Sequence, residues 1–184
     1  QWGERGAWGG AVRALEGLGL VVRCRHGGAG VGALRPEEGV EIDRIREALE
    51  GRACRLAAEN MSTDGINSLR ELLYQHERNI QEIDGRAYFQ KEGDLGFHYR
   101  IVQSRRNTKL FELLGGELYH LVRMYRYQFS VSKSRPQRAL KEHHRILDAI
   151  EERDGELAEL LMRRHIGRAR RNIEERLNPT NKEE

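Results

Sequence analysis

At 184 residues the chain can hold one good-sized core and a small second unit. Apolar runs such as LGLVV are too short for a membrane span, and no charged start followed by an apolar stretch resembles a signal peptide, so a cytoplasmic protein with no membrane partner is expected. The formal net charge is only +3, yet residues 1–35 carry five Arg against Glu4 and Glu16 while the remainder balances, the pattern of a nucleic-acid-contacting end on a neutral body. Cys24 and Cys54 have no CxxC partner and read as reduced thiols, which argues against a zinc ribbon or a staple; Cys54, on a helix face, reads as packing.

The first 35 residues hold 10 of the 20 glycines and read as short pieces: a helix fragment AVRALEGLG, a strand in LVVRCR, a turn at HGG and a second strand in AGVGAL. Gly28 and Gly30 are expected to supply the backbone freedom of that turn. Arg35-Pro36 marks a boundary, because proline is accepted in the first turn of a helix and disfavours helix before it.

From Pro36 the 3.6-residue period predicts six helices. The first, over 37–60, places Ile42, Ile45, Leu49, Ala53 and Leu56 on one face; the second, over 64–83, carries Ile66, Leu69, Leu72, Leu73 and Ile80. A third spans 85–104 and a fourth 107–130. The fifth begins at a capping box, Ser134 to Gln137, and ends near Arg153, and the sixth, capped by Asp154, runs to Leu177. The polar tail after it reads as frayed. The expected fold is all-α, an antiparallel bundle of about six helices behind a helix end and a two-stranded hairpin, divided into 1–35 and 36–184; the resemblance given below makes that front piece a remnant of a winged helix. In the fourth helix Leu110, Leu113, Leu114, Leu118, Leu121 and Val122 cover an arc too wide for one seam, which predicts a homodimer.

Four polar residues fall where apolar ones belong. Asp94 and His98 are four apart and share a helix face; His143 lies on the stripe Leu140, Leu147, Ile150, and His165 on Ala158, Leu161, Ala169. His143 precedes and His165 follows the break at Asp154-Gly155 by about 11 residues, so in a hairpin both sit ~16 Å from the turn and face one another. One carboxylate and three imidazoles buried separately would each pay desolvation; a shared divalent ion removes that penalty. The donor set suits zinc first, with nickel, iron or manganese as alternatives. His120 reads as structural, and His26, His76 and His144 as surface residues.

The strings RIREALEGRACRLAAE, GDLGFHYRIVQSRRNTKL and EHHRILDAIEERDGELAELLMRRHI together resemble the C-terminal effector domain of GntR-type bacterial transcription regulators of the FadR branch, over roughly residues 36–177. That resemblance implies a helical bundle binding a divalent metal through Asp94, His98, His143 and His165, beside a cavity for a small carboxylate effector. It places Arg46 at the effector, where a guanidinium fork matches a carboxylate; Arg123 and Arg126, in LVRMYRYQ, are weaker candidates whose plain reading is a solvated helix edge. Without the resemblance, Arg46 reads as a helix-surface arginine paired with Glu50. The front end is similar to the close of that family's winged helix-turn-helix, with Arg13, Arg23 and Arg25 as DNA contacts. Its first two helices are absent from this stretch, and Trp8-Gly9-Gly10 stands where the family usually has Val-Arg-Glu, so DNA binding is expected through an intact N-terminal unit. The function implied is a ligand-responsive transcriptional regulator and not an enzyme. The alternatives are a metalloenzyme, against which no accompanying general acid or base is evident, and a freestanding metal or ligand sensor.

Overall fold

A computed structural model describes residues 2–17, 19–24, 28–82, 93–104, 108–129 and 135–177, without the side chains of 2–8, 31, 81–82, 93–94, 117, 126–129 and 135. The chain divides into two compact units, Gln1–Arg35 and Pro36–Glu184.

In the N-terminal unit, α1 (Trp2–Gly17) precedes a hairpin of β1 (Val21–Arg23) and β2 (Ala29–Val31), paired antiparallel with Val22 opposite Gly30. The helix reaches further back than the fragment AVRALEGLG. Gly28 has φ 108° and supplies the left-handed turn residue, as expected, whereas Gly30 lies within β2. Gly32 is required for a different reason: a Cβ there would stand 2.3 Å from the carbonyl oxygen of Gly19.

The second unit is helical throughout its described residues: α2 (Pro36–Asn60), α3 (Thr63–Glu82), α4 (Gly93–Gln103), α5 (Thr108–Gly115), α6 (Glu117–Phe129), α7 (Arg135–Glu151) and α8 (Gly155–Leu177). The expected fourth helix is two, because the pair Gly115-Gly116 interrupts it, and glycine is a poor residue for a helix interior. Residues 85–92 of the expected third helix and the capping residue Ser134 lie outside the described residues. None of the described helices is long and apolar enough to cross a membrane.

Antiparallel packing of α8 along α2 is the most extensive helix contact. Its edge is laced by Arg44–Glu174, Glu47–Arg170 and Arg55–Glu156, whose order runs in opposite directions on the two helices. Between the helices lies a core that includes Leu69, Leu73, Phe97, Ile101, Ile146, Leu147, Ile150 and Ile166, each worth about 1.5–3 kcal/mol of burial.

The face of α2 that meets this core departs from the apolar period. Asp43, Arg46, Glu50, Ala53, Cys54 and Ala57 are buried, whereas Ile45 is 50% exposed and Leu49 and Leu56 are only partly covered. Three charged residues occupy the N-terminal half of the buried stripe, so the hydrophobic pattern pointed to the neighbouring face.

The turn between α7 and α8 fixes the hairpin. Asp154 N donates to Ala149 O and Arg153 N to Ile150 O, the two bonds of a Schellman cap with Arg153 in the left-handed position (φ 63°). Asp154 then caps α8, its Oδ1 accepting from Leu157 N at 2.9 Å. Arg153 tolerates the strained φ because its guanidinium donates to Ala58 O and Met61 O at the end of α2. Arg153→Ala keeps the strain and loses both bonds; urea denaturation should show a loss of about 1–3 kcal/mol. Arg153→Gly, which relieves the φ, should lose about 1 kcal/mol less.

Candidate metal and effector site

Burial of the hairpin's facing stripes brings His143 and His165 together, with Nε2 of each ring 3.3 Å apart. His98 enters from α4, its ring 5.1 Å from that of His165 and 5.3 Å from that of His143. The three histidines are buried, and one ring nitrogen from each lies within 4.8 Å of the others. Phe97 stacks on His143 with centroids 4.2 Å apart and fixes that ring in its plane. Asp94, the second residue of α4, stands four residues before His98, so its backbone is one turn away; its side chain lies outside the described residues.

Carboxylates behind two of the rings orient them. Glu50 Oε2 lies 2.5 Å from His98 Nδ1, and Glu142 Oε2 lies 2.7 Å from His165 Nδ1. An ionised carboxylate only accepts, so Nδ1 of each ring carries the proton and Nε2 keeps its lone pair toward the centre of the cluster. Both carboxyls stay ionised. Burial raises the Glu50 pKa, but Arg46 and His98 outweigh it and hold the group well below the usual carboxylate range. Burial acts likewise on Glu142, where the His165 bond and Arg168, at 2.6 Å, bring it down to about 2. Burial is the leading cause that pushes His165 well below the ordinary imidazole value, which keeps it a neutral donor.

Two nitrogens bound to one ion at zinc-like distances, 2.0–2.1 Å in tetrahedral geometry, stand about 3.3 Å apart. That is the His143–His165 separation, and three imidazoles with outer carboxylates are chemistry that a divalent cation accepts. The residues therefore fit such an ion.

Beside the histidines lies a small, partly open cavity lined by Arg46 and Glu50 from α2, His98 and Tyr99 from α4, Leu114 from α5 and Tyr119 and Val122 from α6. Arg46 is paired with Glu50, but it is 1% exposed and not a surface residue. Its fork is largely occupied: Nε donates to Glu50 Oε1 at 2.7 Å and Nη1 to Asp43 Oδ1 at 2.8 Å. Nη2 is buried and has no hydrogen-bond partner among the described residues. A carboxylate reaching Arg46 thus meets one nitrogen, not the open fork that its residue type suggested.

Other expected positions fall differently. Arg123 is exposed and is not among the cavity-lining residues, and the Arg126 side chain lies outside the described residues. His76 is buried on α3, contrary to its reading as a surface residue, and burial, with His143 and Arg100 nearby, takes its pKa down to about 4. His144 is half-buried against Tyr74, while His120, read as structural, is exposed beside Tyr119. Arg13 is exposed on α1, Arg23 is exposed and paired with Glu16 at 2.7 Å, and Arg25 and His26 lie outside the described residues. The sequence reading overlooked Glu50 and Glu142 as supports for His98 and His165. The available signal was a carboxylate at helical spacing from a buried arginine in one case and directly before His143 in the other.

A family model described as the FCD domain matches residues 41–168. A probable D-xylose utilization operon transcriptional repressor from Paenarthrobacter nicotinovorans is 32% identical over 161 residues, covering 85% of this chain and 67% of the relative. The chain belongs to the FCD-domain family of GntR-type transcription regulators. Members of this family regulate transcription and are not enzymes. Solved structures share the fold of this FCD chain. Escherichia coli McbR/YncC superposes with a TM-score of 0.74 at 21% identity, covering 91% of this chain and 79% of that one. Streptococcus agalactiae GntR gives 0.62 at 19% identity over 88% and 79%, and a GntR family member from Pseudomonas syringae pv. tomato str. DC3000 gives 0.61 at 23% over 91% and 68%. The FCD match spans α2 to α8 and so contains every residue of the histidine cluster.

Proposed function

We propose that the FCD unit is the sensor of a ligand-responsive transcription regulator, holding a divalent metal through Asp94, His98, His143 and His165 and a small carboxylate effector at Arg46. The observation that carries this reading is the convergence of three buried imidazoles next to a cavity lined by a buried arginine, one nitrogen of which has no hydrogen-bond partner among the described residues. When bound, the ion supplies a positive charge and a position that a carboxylate oxygen fills. Zinc is the proposed metal, with nickel, iron or manganese compatible with the same donors.

We assign DNA contact to the N-terminal unit, through Arg13, Arg23 and Arg25. The effector modulates DNA binding to the extent that it binds the DNA-competent and incompetent states with different affinity. A second copy of the chain is the partner proposed for α5, whose Leu113 is 60% exposed.

Thermal-shift screening of metal-loaded protein against small mono- and dicarboxylates tests the sensor reading. At a concentration 100-fold above its Kd, a true effector contributes about 2.7 kcal/mol and raises the midpoint by several degrees. The rise should vanish in His143→Ala. A folded, metal-loaded protein that responds to no carboxylate across the panel removes the acid-sensing role.

A further inference from the structure

Glu50 has two oxygens and both are spoken for on opposite sides. Oε1 accepts from Arg46 Nε at 2.7 Å and Oε2 from His98 Nδ1 at 2.5 Å, and the whole group is buried. Arg46 in turn is held from its other edge by Asp43 at 2.8 Å. Asp43, Arg46, Glu50 and His98 therefore form one continuous chain of charge-assisted hydrogen bonds from α2 to α4, with the cavity along its flank.

We infer that Glu50 is a positioning residue that couples the cavity arginine to the metal ligand His98, so that whatever engages Arg46 alters metal affinity although Arg46 binds no metal. This inference rests on the proposed reading of the histidines as a metal site. Glu50 Oε2 meets His98 Nδ1 and so sets its tautomer, and among the described residues Arg46 holds the other oxygen of Glu50. A carboxylate that draws the guanidinium toward the cavity shifts Oε1, and the rigid carboxyl carries Oε2 with it. Coupling of this kind is reciprocal: the factor by which the metal changes affinity for an acid at Arg46 equals the factor by which that acid changes affinity for the metal.

The carboxylate is chemically required for this role. Glutamine at position 50 has one acceptor and one donor end. Turned with its NH2 toward Arg46, it sets donor against donor. Turned with NH2 toward His98, it donates into Nδ1, moves the ring proton to Nε2 and removes the lone pair a metal needs. Lysine at position 46 keeps the charge but lacks the planar fork that spans Asp43 and Glu50 together, so Glu50 loses its fixed orientation.

The test measures Zn2+ affinity of the full chain by competition with a chromophoric chelator, and Co2+ absorption as a signature of the ligand field, in wild type, Glu50→Gln, Arg46→Lys and Asp43→Asn. Outer-sphere partners of a ligating histidine typically change affinity by roughly 10–100-fold. Glu50→Gln should fall in that range. Arg46→Lys should weaken Zn2+ about 10-fold and shift the Co2+ bands while the apo-protein keeps its helical signal. If Glu50→Gln fails to fold, Arg46→Lys and Asp43→Asn decide the matter. Wild-type Zn2+ affinity in a folded Arg46→Lys protein, with unchanged Co2+ bands, overturns the coupling and leaves the metal site standing. A wild-type chain that binds neither ion overturns the metal reading itself, and the coupling falls with it.

Discussion

Replacing Arg46 by alanine should destabilise the helical unit by about 3–5 kcal/mol, the usual consequence of stripping one partner from a buried ion pair. Arg46 is 1% exposed, and its removal leaves Asp43 and Glu50 facing each other's vacated partner with no solvent to take its place. Burial by itself lowers the guanidinium's pKa, yet Glu50 and Asp43 reverse that and raise it, so the group is charged under all ordinary conditions. With total stabilities of about 5–15 kcal/mol, a loss of that size removes a large fraction of the fold's margin. Guanidinium denaturation should register it as a lower midpoint with an unchanged slope. Substituting Asp43→Leu, Arg46→Met and Glu50→Leu together should recover only part of the stability: a well-packed apolar replacement of a buried ion pair is often neutral or better, but losing Glu50 leaves the buried His98 Nδ1 without its acceptor. An Arg46→Ala protein as stable as wild type would show that the triad contributes nothing net.

Stripping metal with a chelator should lower the melting temperature of the wild-type protein and leave that of a His143→Ala/His165→Ala protein unmoved. Free metal at 1,000 times its Kd stabilises the folded state by about 4.1 kcal/mol. At roughly 2–4 °C per kcal/mol for a chain of this size, the midpoint should drop by about 8–16 °C on removal. The apo-protein should stay helical, because the surrounding core is extensive and two of the three rings are held by Glu50 and Glu142 without any ion. Equal melting curves before and after dialysis against chelator, together with no metal by elemental analysis, would return the histidines to a purely structural role.

Most of the bundle was legible because long apolar periods are robust to local detail. Leu69, Leu73 and Ile80 of α3 and Leu140, Leu147 and Ile150 of α7 are buried where the 3.6-residue period places them. The approach of His143 to His165 followed from their nearly equal distances to the Asp154 turn, since antiparallel helices match rise for rise. What failed, failed where charge replaces hydrocarbon. The buried face of α2 includes Asp43, Arg46 and Glu50, and a hydrophobic scale assigns such residues to solvent. His76 was misjudged for the same reason, a polar residue at a core position of α3. Glycine-level detail was the other gap: Gly115-Gly116 splits one apolar stripe into two helices without changing its period.

Strand β2 ends at Val31 and α2 begins at Pro36, after which the helix continues without a break to Asn60. Arg46 sits ten residues along that rod, about 15 Å from its first residue. The pocket's arginine and the connection to the N-terminal unit therefore belong to one uninterrupted helix.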